Sequence, residues 1–180
     1  MNRILWALGF VLLFSLPALA WNEPEGFRGV PWESSEQVVK EKFGGPCVDL
    51  EKSQTILGER ACSTIVTVGD VETKALFSFR TNKLIGVVLT FDENKFHLMR
   101  GTFVERYGKP SSSREVQAQT AIGARYVNQI LEWKGDKIHI SLHRYGSTVK
   151  ESSAIFIVNS DLKEVEKAQQ KQQKKGADDL

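Results

Sequence analysis

Few residues in this chain have types that could do chemistry: Cys47 and Cys62, the histidines His97, His139 and His143, the serine run Ser111–Ser113, and carboxylate pairs such as Asp92-Glu93. Each type supports a particular chemistry and demands a particular spacing. A lone pair of cysteines outside a C-x-x-C arrangement, in an oxidising compartment, forms a structural disulfide rather than a redox couple. Closing so short a loop stabilises by about 3 kcal/mol in the chain-entropy model. Two thiols without a histidine cluster make a poor metal site. His139 and His143 fall on one side of a predicted strand, but four residues at about 3.3 Å rise part them by roughly 13 Å, too far to share an ion. His97 has no obvious partner in sequence. There is no G-x-S-x-G turn to strain a nucleophile, and Ser111–Ser113 follow Pro110 in a plain loop. Gly44-Gly45 lacks the Lys-Ser/Thr of a phosphate loop. Asp92-Glu93 sits at a predicted helix start, where capping accounts for it. The expectation is therefore no catalytic residue, no metal and no cofactor, and a binding role rather than an enzymatic one.

The elements that would position any such side chain are organised around Glu105-Arg106-Tyr107-Gly108-Lys109-Pro110, which has an earlier counterpart in Glu41-Lys42-Phe43-Gly44-Gly45-Pro46. In both, a helix runs into an aromatic anchor. A glycine follows, where the backbone can turn left-handed at no steric cost, and a proline two residues later forbids continuation. The offset is 64 positions. Three further echoes keep nearly the same offset: Leu57-Gly58-Glu59-Arg60 with Ile122-Gly123-Ala124-Arg125, Val68-Gly69-Asp70 with Lys134-Gly135-Asp136, and Arg80 with Arg144. Four echoes in one order point to internal duplication.

Met1–Ala20 reads as a secretory signal: Arg3, an apolar run from Ile4 to Leu16, a break at Pro17, and small residues in Ala18-Leu19-Ala20 before the cleavage point. The run is short for a membrane span of about 20 residues. No cysteine stands at the cleavage point, so no lipid anchor is expected. Cleavage after Ala20 leaves 160 of the 180 residues, enough for one domain with its own core. The expected location is periplasmic or secreted, without stable membrane insertion after cleavage. Net charge is +2, or +1 without Arg3, and mixed in sign along the chain. That excludes the electrostatic footprint of a nucleic-acid binder.

Within the mature chain, Ser34 with Gln37 predicts a capping box at the start of a helix from about Glu33 to Phe43, with Val38, Val39 and Phe43 as its stripe. Cys47 to Glu59 reads as polar and turn-rich. Strands follow at about Ala61–Val68, Val71–Arg80 and Lys83–Phe91; in the last, Ile85, Val87, Leu89 and Phe91 share a face. A second helix, capped by Asp92 or Asn94, carries Phe96, Met99, Phe103 and Tyr107. Strands at about Ser113–Gln119, Ala124–Lys134, Lys137–Tyr145 and Ser152–Val158 complete the second half. A polar helix capped by Asp161 fills 161–180, outside the core and fraying toward its end.

The fold class expected is thus α+β: one antiparallel sheet from two αβββ-type repeats, about 27–92 and 93–160, with the helices on one face. The other, wet face presents Glu72, Lys74, Arg80, His139, His143, Arg144 and Tyr145, material suited to protein recognition.

The order helix, strands, helix, strands, with helix-ending Phe43-Gly44-x-Pro46 and Tyr107-Gly108-x-Pro110 and an export signal, resembles the two-repeat fold of the beta-lactamase inhibitory protein family. Each half is also similar to the small outer-membrane assembly lipoproteins of the SmpA/OmlA type, though the acylated cysteine is missing. The resemblance implies an exported protein that binds another periplasmic or envelope protein. Two other roles fit the sequence: a periplasmic small-ligand carrier or enzyme with a pocket between sheet and helices, or an envelope component held by an uncleaved N-terminal anchor.

Overall fold

Phe156 is the residue on which the two halves of the molecule meet. In the computed structural model, which describes residues 21–50, 58–119, 123 and 125–178, its ring lies 5.5 Å from Phe27, 5.8 Å from Phe103 and 6.1 Å from Tyr107. Phe27 belongs to a hairpin of two-residue strands, β1 (Gly26–Phe27) and β2 (Val30–Pro31). After it, α1 (Glu36–Phe43) is followed by β3 (Cys47–Asp49), β4 (Arg60–Val68), β5 (Val71–Arg80) and β6 (Lys83–Asp92). A 3-10 turn, Glu93–Lys95, leads into α2 (Phe96–Tyr107), then β7 (Ser112–Gln119), β8 (Arg125–Lys134), β9 (Ile138–His143) and β10 (Glu151–Val158). The helix α3 (Asn159–Asp178) comes last. The expected signal segment Met1–Ala20, and Leu57, Ile122 and Ala124 of the sequence echoes, lie outside the described residues.

Strands β3 to β10 form one antiparallel sheet in the order β3-β4-β5-β6-β10-β9-β8-β7. Each half is a meander of neighbours, and the last strand of one pairs with the last strand of the other, Val88 opposite Ile155. The first half thus has four strands, not three: Cys47–Asp49 pairs with Arg60–Cys62. The units are αββββ rather than αβββ, because a three-residue strand is too short to show an alternating pattern. Cys47 and Cys62 are joined as a disulfide and stand opposite each other with Cα atoms 4.0 Å apart. The flanking bonds Ser63 N–H to Pro46 O and Leu50 N–H to Glu59 O put them at a non-hydrogen-bonded pair, where facing side chains come closest.

Both α1 and α2 end as expected. Gly44 and Gly108 have φ of 68° and 82°, and each donates its N–H to the carbonyl four residues back, Lys40 or Val104. Their aromatic anchors reach the core: Phe43 stacks on Phe77 at 4.8 Å, and Tyr107 meets Trp133 at 6.5 Å. Buried Val39 from α1 and Phe96, Met99 and Phe103 from α2 cover one sheet face, joining Phe77, Phe79, Leu89, Leu131, Ile140 and Leu142. Asp92 caps the turn before α2, accepting from the Asn94 N–H. The capping box at Ser34 is absent. Ser35 is the N-cap and makes no side-chain cap bond, Gln37 bonds Glu41 instead, and Asn82 Oδ1 takes the Glu36 N–H from across the fold.

Two expectations about faces are corrected. Ile85 does not share a face with Val87, Leu89 and Phe91. The pairing of β5 with β6 slips between Ser78 and Phe79, so Leu84 joins the helix-side core and Ile85 turns to the other side, beside Ser78, Gly86 and Ile157. Nor do all helices lie on one face. Arg80, on the face away from α1 and α2, donates to Asp161 Oδ1 at 2.5 Å and to Glu164 Oε2 at 2.9 Å, and Asp161 is buried. The start of α3 is therefore seated on the second face, with Leu162 and Val165 half-buried between exposed charges. A first-turn carboxylate with a cation waiting on the sheet won over solvent exposure. Among the described residues, no helix is long and apolar enough to cross a membrane.

Candidate functional site

The sheet face opposite α1 and α2 is built by the residues that alternate with the core, and strand register places them in rows. One row runs Ser112, Glu132, Ser141, Ile155, Val88, Leu76, Ser63. Beside it run His143, Ser153, Thr90 and Lys74 on one side, and His139, Ile157, Gly86 and Ser78 on the other. The centre is apolar: Leu76, Val88, Ile155 and Ile157 are half-buried, and Ile65 is 54% exposed. A solvated sheet face is normally polar at such positions. Asp161 of α3 closes one end of this strip through Arg80.

Toward β7, Glu132 gathers the polar groups. Ser112 Oγ donates to it at 2.7 Å, Lys134 Nζ lies at 3.5 Å, His139 Nε2 at 3.7 Å and Arg114 at 3.9 Å. Burial pushes the Glu132 carboxyl up, but the Ser112 hydrogen bond and the charges of Lys134 and His139 outweigh it and hold it below the usual range. Burial pushes His139 below the ordinary histidine value, with Glu132 opposing. His143 is lowered by burial and then by Arg114. Both shifts favour the neutral ring.

His143 Nε2 is 3.1 Å from Ser141 Oγ, the contact of a base with a nucleophile. Ser141 is buried, however, and among the described residues no carboxylate bonds the His143 ring to orient it. The pair serves as a hydrogen bond between neighbours on one face. β9 keeps its register throughout, so His139 and His143 stay four residues apart. Glu36 lies within 4.8 Å of both Cys47 and Cys62, but a disulfide offers no thiolate to a metal.

The sequence-predicted site residues are spread rather than gathered. Glu72 and Lys74 are exposed near the start of β5, and Arg80 stands at its other end, held by α3. His143 is three strands from Lys74 in the same row, roughly 14 Å away at about 4.8 Å per strand. Tyr145 lies past the end of β9, edge-on to Tyr126 at 5.6 Å. Arg144 leaves the face altogether. Its Nε donates to Glu93 Oε1 at 2.7 Å in the turn before α2, because Glu93 offers a part-buried carboxylate within reach.

Sequence reasoning missed the apolar strip and the Glu132 hub. A signal for the strip was present: β10 reads Ala-Ile-Phe-Ile-Val, apolar on both faces, which marks a strand covered on both sides. The Glu132 hub had none, since its partners come from β7, β8 and β9. Comparison with protein-family models, with curated proteins and with solved structures finds no match to this chain.

Proposed function

We propose that this chain is an exported, non-catalytic module that binds another protein through the sheet face opposite α1 and α2. The observation that carries this reading is the row Leu76–Val88–Ile155 with its neighbour Ile157: apolar side chains, part-exposed, at the centre of a rigid face whose margins carry Lys74, Arg80, His139, His143 and Glu132. A partner would bury the strip and meet charge at the rim, the anatomy of a protein interface. The disulfide supports an oxidising location, and the apolar Ile4–Leu16 run with Ala18-Leu19-Ala20 supports export. Duplication of one αββββ unit accounts for the mirrored strand order and for the matching Gly44 and Gly108 turns. The likeness to the beta-lactamase inhibitory protein family rests on the order helix, strands, helix, strands, on Phe43-Gly44-x-Pro46 and Tyr107-Gly108-x-Pro110, and on the export signal.

The test uses site-specific photo-crosslinking in the native exported fraction, with the probe at Leu76 or Ile65 on the proposed face and at Leu98 or Val104 on α2 as controls. One partner should be captured from the first two positions alone, and capture should vanish on Val88→Glu. Capture from α2 alone, or none from the face, overturns the reading.

A further inference from the structure

A second site lies away from that face, in a cleft of about 480 Å³ between the β1–β2 hairpin, the start of β9 and the start of α3. Trp32 forms its floor. One side of the indole stacks on Phe156, with ring centroids 6.3 Å apart and planes 29° apart, and Nε1 donates to the Pro24 carbonyl at 2.7 Å. The ring is thereby fixed. Its remaining surface lines the cleft between Pro31 and Val158. The result is a flat apolar platform in a cleft whose other walls carry Glu25, Glu33, Asp136, Lys137 and Lys163.

The charges around this platform select the ligand. Glu25 is taken by Lys137 Nζ at 3.1 Å, and Glu33 by Lys83 Nζ at 3.5 Å. Asp136 and Lys163 also line the cleft, and their side chains have no hydrogen bond or ion pair among the described residues. A net cation would meet Lys137 and Lys163; a net anion would meet Glu25, Glu33 and Asp136. A neutral ligand is opposed by neither. It must offer a flat C–H face to the indole, donors to a carboxylate and acceptors to an ammonium. A sugar ring has all three: axial C–H bonds whose positive edge suits the negative face of an aromatic ring, and a rim of hydroxyls. The volume falls within the range of about 300–1,000 Å³ typical of ligand sites, and a platform already locked by Phe156 and Pro24 loses little freedom on binding.

We propose that this cleft binds a neutral saccharide, with Trp32 as the stacking platform, Asp136 accepting from hydroxyls and Lys163 donating to them. Binding is read from the Trp32 indole N–H resonance of the ¹⁵N-labelled chain during titration with N,N′,N″-triacetylchitotriose, cellotriose and maltotriose at millimolar concentration. At least one of these should shift that resonance saturably. Asp136→Asn and Lys163→Met should each weaken that binding by roughly 2- to 10-fold, the size of one typical net hydrogen bond. Trp32→Phe, read from the backbone amide resonances of Lys137 and Asn159 in the cleft, keeps an apolar ring over Phe156 and should weaken it by about as much, with the rest of the spectrum still dispersed. The proposal is overturned if none of the three sugars moves the resonance. It is equally overturned if binding is indifferent to Asp136→Asn and Lys163→Met, or if free L-leucine, a zwitterion, binds the cleft more tightly than any sugar.

Discussion

Arg80→Ala should release α3 from the sheet without unfolding the sheet. Arg80 contacts both Asp161 and Glu164, but the two arms differ in worth. Glu164 has a side chain 67% exposed, and an exposed pair contributes about 0.2–1 kcal/mol. Asp161 is 12% exposed and Arg80 20%, so this arm lies between the exposed pair and the buried one, whose rupture costs about 3–5 kcal/mol. Without Arg80, Asp161 would keep the burial that already pushes its carboxyl above the usual value and lose the cation that opposes this. The helix can escape the penalty by peeling away, since Leu162 and Val165 are its sole half-buried apolar residues among those whose burial is described. The expected loss is therefore about 1–3 kcal/mol, seen as a roughly 5- to 150-fold gain in the open population of α3. Trypsin cleavage after Lys163 and Lys167 reads that population under conditions where opening is faster than cutting. Asp161→Asn should cost less, because the amide oxygen still accepts from Arg80. If cleavage rates in Arg80→Ala match the parent, or if β4 and β9 amides lose protection together with α3, the seating of α3 on this face is wrong.

Three further outcomes follow from the packing. Both His139 and His143 are depressed by burial, so their contribution to stability is full above the ordinary value of about 6.5 and is lost as pH falls through the lower folded values. Urea unfolding between pH 7 and 5 should show that decline, and His139→Gln with His143→Gln should flatten it. Replacing Cys47 and Cys62 together by serine should cost about 2–4 kcal/mol in denaturant unfolding, and added reductant should then change nothing. Phe156→Ala should cost about 3–5 kcal/mol and broaden resonances in both halves, since its ring touches Phe27 on one side and Phe103 on the other; broadening confined to one half would refute the shared core.

The antiparallel sheet, both helix ends and the disulfide were legible in the sequence because each depends on a local pattern: period-two alternation, a Gly-x-Pro stop, a lone cysteine pair. What escaped was set by tertiary partners. The slip at Ser78 that turns Ile85 over depends on β5 and β6 together. The seating of α3 depends on Arg80, 81 residues from Asp161. Arg144 was misplaced for the same reason, since Glu93 claims it from 51 residues away. Of the candidate site, the residues on the face could be named but not their grouping, because rows across a sheet exist only once register is fixed.

The seam between β6 and β10 has a consequence for how the chain assembles. Each half can zip up from neighbouring segments, an arrangement of local contacts that closes quickly. The seam itself joins distant segments, with Glu151 opposite Asp92 and Ile157 opposite Gly86, and β10 is the last strand to arrive. Until it does, the ten-residue β6, carrying Leu89 and Val87, has a bare rim ready to accept any passing strand. The hazardous moment for this molecule is the interval in which its first half waits for its second.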